Sequence, residues 1–82
     1  MVYDVKNRFL HTIYGDIVRL NKAEHKMLIC LSDGNCAKYD DIEKYVAKNN
    51  IGRIVHHLRE KGLNIQVKPK IGLILKDEIY FE

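Results

Sequence analysis

Residues 49–61, Asn-Asn-Ile-Gly-Arg-Ile-Val-His-His-Leu-Arg-Glu-Lys, constrain this chain more than any other stretch. Ile51, Ile54, Val55 and Leu58 recur at the three- and four-residue spacing that lines one face of an α-helix. Asn50, Arg53, His56, His57 and Lys61 fall on the remaining surface. One side of such a helix needs a core, while the other offers cations and hydrogen-bond donors. Gly62 follows, a residue suited to the left-handed position that ends a helix. A charged helix face usually does no more than meet water, so its meaning depends on what surrounds it.

Charge is segregated around this helix. Over residues 44–70 there are seven basic residues (Lys44, Lys48, Arg53, Arg59, Lys61, Lys68, Lys70) against the single acid Glu60, a local balance of +6 within a formal net charge of +3. The rest of the chain, with seven basic and ten acidic residues, carries −3. A small chain with charge divided this way has a positive side, whose commonest partner is a phosphate backbone. An acidic protein surface is the competing partner.

A length of 82 residues allows one domain, 1–82, with a small core and no second lobe to frame an active-site cleft. The composition, 46% hydrophobic and 30% charged, is that of a globular protein. No apolar run approaches the roughly 20 residues that span a bilayer, and the start lacks a signal-peptide core. The expectation is a soluble, cytoplasmic protein with no membrane partner. Cys30 and Cys36 are then expected as reduced thiols, Cys30 acting as a small hydrophobe on a helical face.

The first twenty residues read as strands, 9–14 and 17–20 flanking Gly15-Asp16 as a hairpin, with a further short strand over 2–5. Residues 22–61 read as three helices. Asn21 with Glu24 three residues on makes a capping signature for a first helix over 22–32, with Ala23, Met27, Leu28 and Leu31 as its apolar stripe. A short helix is expected over 40–48, acidic at its start and basic at its end, with Ile42, Tyr45 and Val46 facing the core. A brief link joins it to the basic helix, as in a helix-turn-helix. Residues 63–82 then read as a β-hairpin and a terminal strand. Leu63, Ile65 and Val67 alternate with polar residues, Pro69-Lys70 turns, residues 71–75 return, and Ile79-Tyr80-Phe81 packs at an edge.

This order of strands, helix, short helix, basic helix and hairpin resembles the winged helix-turn-helix effector domain of OmpR/PhoB-type response regulators. Asp16-Ile17-Val18-Arg19-Leu20-Asn21-Lys22-Ala23-Glu24 is similar to the family's strand-to-helix junction, with Asn21 where threonine is usual. Ile51, Val55, Leu58-Arg59 and Lys61 are similar to its recognition-helix pattern. Residues 65–75 resemble its wing, with Gly72 at the second glycine, Lys70 at the first, and Leu73 where an aromatic is common. A length of 82 residues leaves no room for a receiver domain, so the expectation is the output half alone or a stand-alone relative, without phosphorylation control. The fold class implied is α+β, a winged helix-turn-helix.

The resemblance implies roles for the third helix. Asn50, Arg53 and His57 would face bases, because arginine's fork meets the two acceptors of guanine and asparagine suits adenine. Asn49, His56, Arg59 and Lys61 would meet phosphate, Arg59 having a core-rim acid as its other possible partner. Lys68 and Lys70 would reach an adjacent groove from the wing. Gly52 would let the backbone approach closely. Adjacent helical residues point about 100° apart, so His56-His57 is a poor chelate, and no metal site or cofactor is expected. No phosphate loop or nucleophile elbow points to an enzyme. Asp40, Asp41 and Glu43 read most simply as a helix start, and His11 and His25 as surface residues.

Two classes of function follow. One is a sequence-specific regulator of transcription that binds double-stranded DNA as a homodimer, since one helix reads few base pairs. The other is a protein-binding winged helix, such as a small mobile-element inhibitor or antirepressor, that does not act through DNA.

Overall fold

Helix α3 (Ile51–Glu60) stands where the apolar spacing puts it in the computed structural model, which describes residues 1–82. Its buried side chains are Ile51, Ile54, Val55 and Leu58, as the spacing requires. It begins two residues later than the sequence suggests. Lys48–Asn50 form a 3-10 turn that runs into it, and Asn50 makes no side-chain cap. At the other end Lys61 is the cap residue, Gly62 adopts φ +100°, and the Leu63 amide reaches back to the Leu58 carbonyl at 3.1 Å.

Helix α1 (Lys22–Cys30) starts on the expected capping box. The Glu24 amide donates to Asn21 Oδ1 at 2.8 Å, and the Asn21 amide donates to Glu24 Oε1 at 2.9 Å. Met27, Leu28 and Leu31 are buried, and both cysteines are free. The middle helix is much shorter than expected. Only α2 (Tyr39–Ile42) is a regular helix; beyond it the bonds mix third-residue closures (Lys44 to Asp41, Tyr45 to Ile42) with one from the Val46 amide to the Ile42 carbonyl, and the chain then leaves the helix. Ile42 and Val46 enter the core, but Tyr45 is 60% exposed, so that expectation is corrected.

The strands form two sheets. The first has the order β3-β2-β1-β7, from β1 (Val2–Asp4), β2 (Phe9–His11), β3 (Ile17–Arg19) and β7 (Tyr80–Phe81). β7 lies parallel to β1 at the edge, so the chain ends beside its start. The β2–β3 connection differs from the expected Gly-Asp turn. Strand pairing stops at His11 and Ile17, and Thr12 and Asp16 close a loop of Ile13, Tyr14 and Gly15, with Gly15 at φ +86°. This is the three-residue hairpin that uses a left-handed glycine as its third member. Ile13 and Tyr14 look strand-like in sequence but stand in solvent, 68% and 77% exposed.

The second sheet, of order β4-β6-β5, contains the expected hairpin, β5 (Ile65–Lys68) and β6 (Gly72–Leu75). It also contains β4 (Ala37–Lys38), a strand that local pattern does not announce. Gly72 explains how β4 comes so near. A Cβ there would overlap the Ala37 carbonyl oxygen and lie 2.8 Å from its carbon and 2.9 Å from Lys38 Cα. The molecule is therefore an α+β fold of three helices and two sheets. One cluster of sixteen buried hydrophobics draws on both sheets and all three helices, so residues 1–82 share one core. Each fully buried member, Leu28 or Leu58 for example, contributes roughly 1.5–3 kcal/mol by leaving water. Tyr3 is buried there with its hydroxyl 2.7 Å from His25 Nδ1, and desolvation pushes the phenol up to about 12. His25 is thus half-buried and partnered, while His11 is exposed.

Candidate nucleic-acid interface

The outward side of α3 is open. Asn49, Gly52, Arg53, His56 and His57 are exposed and Asn50 is half-buried. Arg53 Nη2 donates to Asn50 Oδ1 at 3.1 Å. That bond orients the guanidinium and leaves its other hydrogens, and the Asn50 amide donors, unused. The three residues expected to face bases therefore lie together on one reachable surface. Nothing lies within 4 Å of the position a Gly52 Cβ would take, so no internal packing demands glycine there.

The residues expected at phosphate divide. Asn49 is exposed, but three others have protein partners. His56 Nε2 lies 2.8 Å from Glu60 Oε1, one helical turn on, and both side chains are well exposed. Arg59 pairs with no acid of the core rim. Its Nε and Nη2 donate to the Ile65 carbonyl at 3.1 and 2.6 Å, pinning the end of α3 to the first residue of β5. Lys61 is the clearest correction. Its Nζ donates to both Glu24 oxygens at 2.7 Å and lies 3.4 Å from the Arg19 carbonyl. Glu24 is 2% exposed at its side chain, so this pair is a structural tie between α1 and the end of α3. A buried carboxylate needs such a partner.

The hairpin does not stand away from the body. The Tyr39 amide donates to the Ile71 carbonyl at 3.1 Å, tethering the tip to the start of α2. Lys70, exposed at the tip, adopts φ +64°, with Pro69 before it and the Ile71 amide bonded to the Lys68 carbonyl, the arrangement of a type II turn. Lys68 is half-buried, and strand alternation sends it to the face opposite Val67. Val67 and Leu73 instead line a groove of about 530 Å3 against α3, whose floor includes Ile51 and Val55. Asp40 and Glu43 stand on its α2 side, and Lys48 and Arg59 also line it. The flank of α3 toward α2 thus meets carboxylates, whereas the flank bearing His57 meets the start of α1, with Asn21, Glu24, Glu60 and Lys61 around a smaller pocket.

Sequence reasoning missed Glu24 as an anchor and the carboxylates beside the groove. The Asn21–Glu24 spacing did signal the cap, but the lysine that meets Glu24 lies far along the chain. No group of three or more His, Cys, Asp or Glu side chains is gathered to hold a metal ion, and no helix is long and apolar enough to cross a membrane. Comparison with family models, curated proteins and solved structures finds no match.

Proposed function

We propose that this chain is a winged helix-turn-helix that binds double-stranded DNA through α3 and acts as a cytoplasmic, non-enzymatic regulator of transcription. The observation that carries the reading is the surface formed by exposed Arg53 and His57 with half-buried Asn50, at the outer side of a helix whose other side is committed to the core. A helix held from behind and polar in front is what a major groove accepts. The succession α1, α2, α3 and hairpin supports it. So does Lys70: the resembling family commonly has glycine at this position, and here the backbone is left-handed. Contacts to phosphate would come from Asn49 and from Lys70 at the tethered tip, with Arg59 and Lys61 removed from that set by their internal bonds.

The reading carries a homodimer, because a single α3 spans too few base pairs for tight specificity. The outer face of the first sheet offers a surface for it. Strand register aligns Ile17, His11, Val2 and Tyr80 in one row, with Arg19, Phe9 and Asp4 in the next. Turned about an axis parallel to the strands, a second copy would set Ile17 against Tyr80 and Arg19 toward the acidic edge that carries Asp4 and Glu82. Ile17 and Tyr80 are 63% and 70% exposed.

The groove beside the hairpin favours the second reading, a protein partner. Its apolar floor, with a rim on which Asp40 and Glu43 are balanced by Lys48 and Arg59, suits a partly apolar segment of mixed charge better than phosphate. One experiment separates the two. Fluorescence anisotropy with random-sequence duplex is run at two salt concentrations on the wild type, Arg53→Ala and Lys70→Ala. DNA binding predicts a steep salt slope that falls, with weaker binding, in both Lys70→Ala and Arg53→Ala. Salt-insensitive behaviour, or no binding at low salt, refutes it.

A further inference from the structure

A second gathering of cations lies away from α3, where the β1–β2 turn meets the start of α1. Lys6 and Arg8 from the turn, Arg19 from β3 and Lys22 from the first turn of α1 line a pocket of about 500 Å3, and no carboxylate is among its lining residues. None of the four is in an ion pair, since the pairs in the molecule are Lys44–Asp41, His56–Glu60 and Lys61–Glu24. Asp4 and Glu24 stand outside the lining. Both Asp4 oxygens accept from Asn7, which holds that carboxyl below its usual range, and Glu24 is enclosed with Lys61. His25 and the 38% exposed Phe9 complete the wall.

Arg8 adds an independent observation. Its φ is +61°, a conformation that glycine adopts more readily than any side-chain-bearing residue. The turn is fixed by the Arg8 amide on the Asp4 carbonyl and the Leu20 amide on the Arg8 carbonyl, both at 2.8 Å. Glycine would close the same turn with less strain, and arginine brings a planar, five-donor fork to the pocket mouth instead. Strained residues of this kind collect at ligand clamps.

We propose that this pocket binds a phosphate-bearing anion. Four cations line one pocket with no carboxylate among the lining residues, and such a cluster concentrates anions. Two of them are arginines, whose forks match phosphate oxygens in pairs. The shared chemistry is phosphate, from a nucleic-acid backbone or from a free polyphosphate. The inference does not rest on the reading of α3.

The test is a titration of the 15N-labelled full chain with inorganic triphosphate, and separately with a mixed-sequence duplex, at low salt. Arg8→Gly removes the cation while easing the turn, so it should melt no lower than wild type. The double variant Arg8→Gly/Arg19→Ala is the reporter, and Arg53→Ala is the control. The expected result is amide shifts confined to residues 6–9 and 19–25 on triphosphate addition, with affinity at least tenfold weaker in the double variant and unchanged in Arg53→Ala. If the phosphate is that of a backbone, the double variant also weakens duplex binding and lowers its salt slope by about 1–2. If it is a free polyphosphate, duplex behaviour stays as in wild type. Duplex binding lost only in Arg53→Ala concerns α3, not the pocket. Triphosphate shifts scattered over all lysines, or an affinity unmoved by the double variant, overturn the proposal.

Discussion

Replacing Lys61 with methionine distinguishes a structural tie from a phosphate contact. The wild-type ammonium donates to both Glu24 oxygens at 2.7 Å. Without it, the carboxylate keeps only the Asn21 amide as a donor, at a side-chain exposure of 2%. Removing one partner of a buried pair costs about 3–5 kcal/mol. Lys61 itself retains 26% exposure, so solvent already screens the pair, and the methionine stem preserves apolar contact. The expected loss is about 2–3 kcal/mol, or a melting temperature lowered by about 10–20 °C for a domain of this size. Glu24→Gln/Lys61→Met removes both charges and should recover about 1 kcal/mol or more, since the two sites couple directly. Urea denaturation followed by circular dichroism gives all three values, and anisotropy on folded protein should find duplex affinity within about twofold of wild type, the size of a minor, indirect effect. Stability within about 0.5 kcal/mol of wild type for Lys61→Met, the range of an ordinary surface change, together with a large loss of duplex affinity would refute the reasoning and return Lys61 to the phosphate set.

Other changes probe single features. Gly72→Ala should cost about 2–4 kcal/mol, because the new methyl displaces β4 and its few ladder bonds; thermal melting measures it, and hydrogen exchange should find the Tyr39 amide unprotected. Gly52→Ala should stabilise the fold by about 0.5–1 kcal/mol, as an exposed helical glycine with open space around it, yet weaken duplex binding if the DNA backbone approaches there; an unchanged affinity removes that role. Lys70→Gly relieves the left-handed backbone and should raise the urea midpoint by an amount worth about 0.5–1 kcal/mol, while lowering the salt slope by about 1. Ile17→Lys should shift sedimentation toward monomer without altering the melt, and an unaltered association state would move the dimer contact off the first sheet.

Local periodicity made the helix faces legible, and long-range pairing hid the rest. Ile51, Ile54, Val55 and Leu58 could be assigned to a core because their spacing is set by the helix itself. The capping box of Asn21 and Glu24 was legible for the same reason, its two bonds spanning three residues. β4 could not be read, since a two-residue strand has no period, and its existence depends on Gly72 thirty-odd positions onward. The middle helix was overestimated because Lys44 and Lys48 supply a favourable end charge, which does not compensate for residues 43–47 lacking a second apolar turn to bury beyond Val46.

Charge misled in a more instructive way. Counted along the chain, residues 44–70 carry the positive balance and the remainder is negative. Folding redistributes both. Lys61, one of the seven cations in the basic stretch, is neutralised by Glu24, Arg59 is held in place by the Ile65 carbonyl, and Asp40 and Glu43 come to stand beside α3. Meanwhile Lys6, Arg8, Arg19 and Lys22 leave the nominally acidic remainder and converge on one pocket. A count along the chain weights every charge equally, whereas a ligand meets only those that are exposed, unpaired and on one surface. By that criterion the cations on α3 outside any ion pair are Arg53 and Arg59, the latter tied to a neutral carbonyl, and a larger concentration lies at the β1–β2 turn. Any account of what this protein binds must therefore include the N-terminal sheet, and a variant set confined to α3 would test only half of the positive surface.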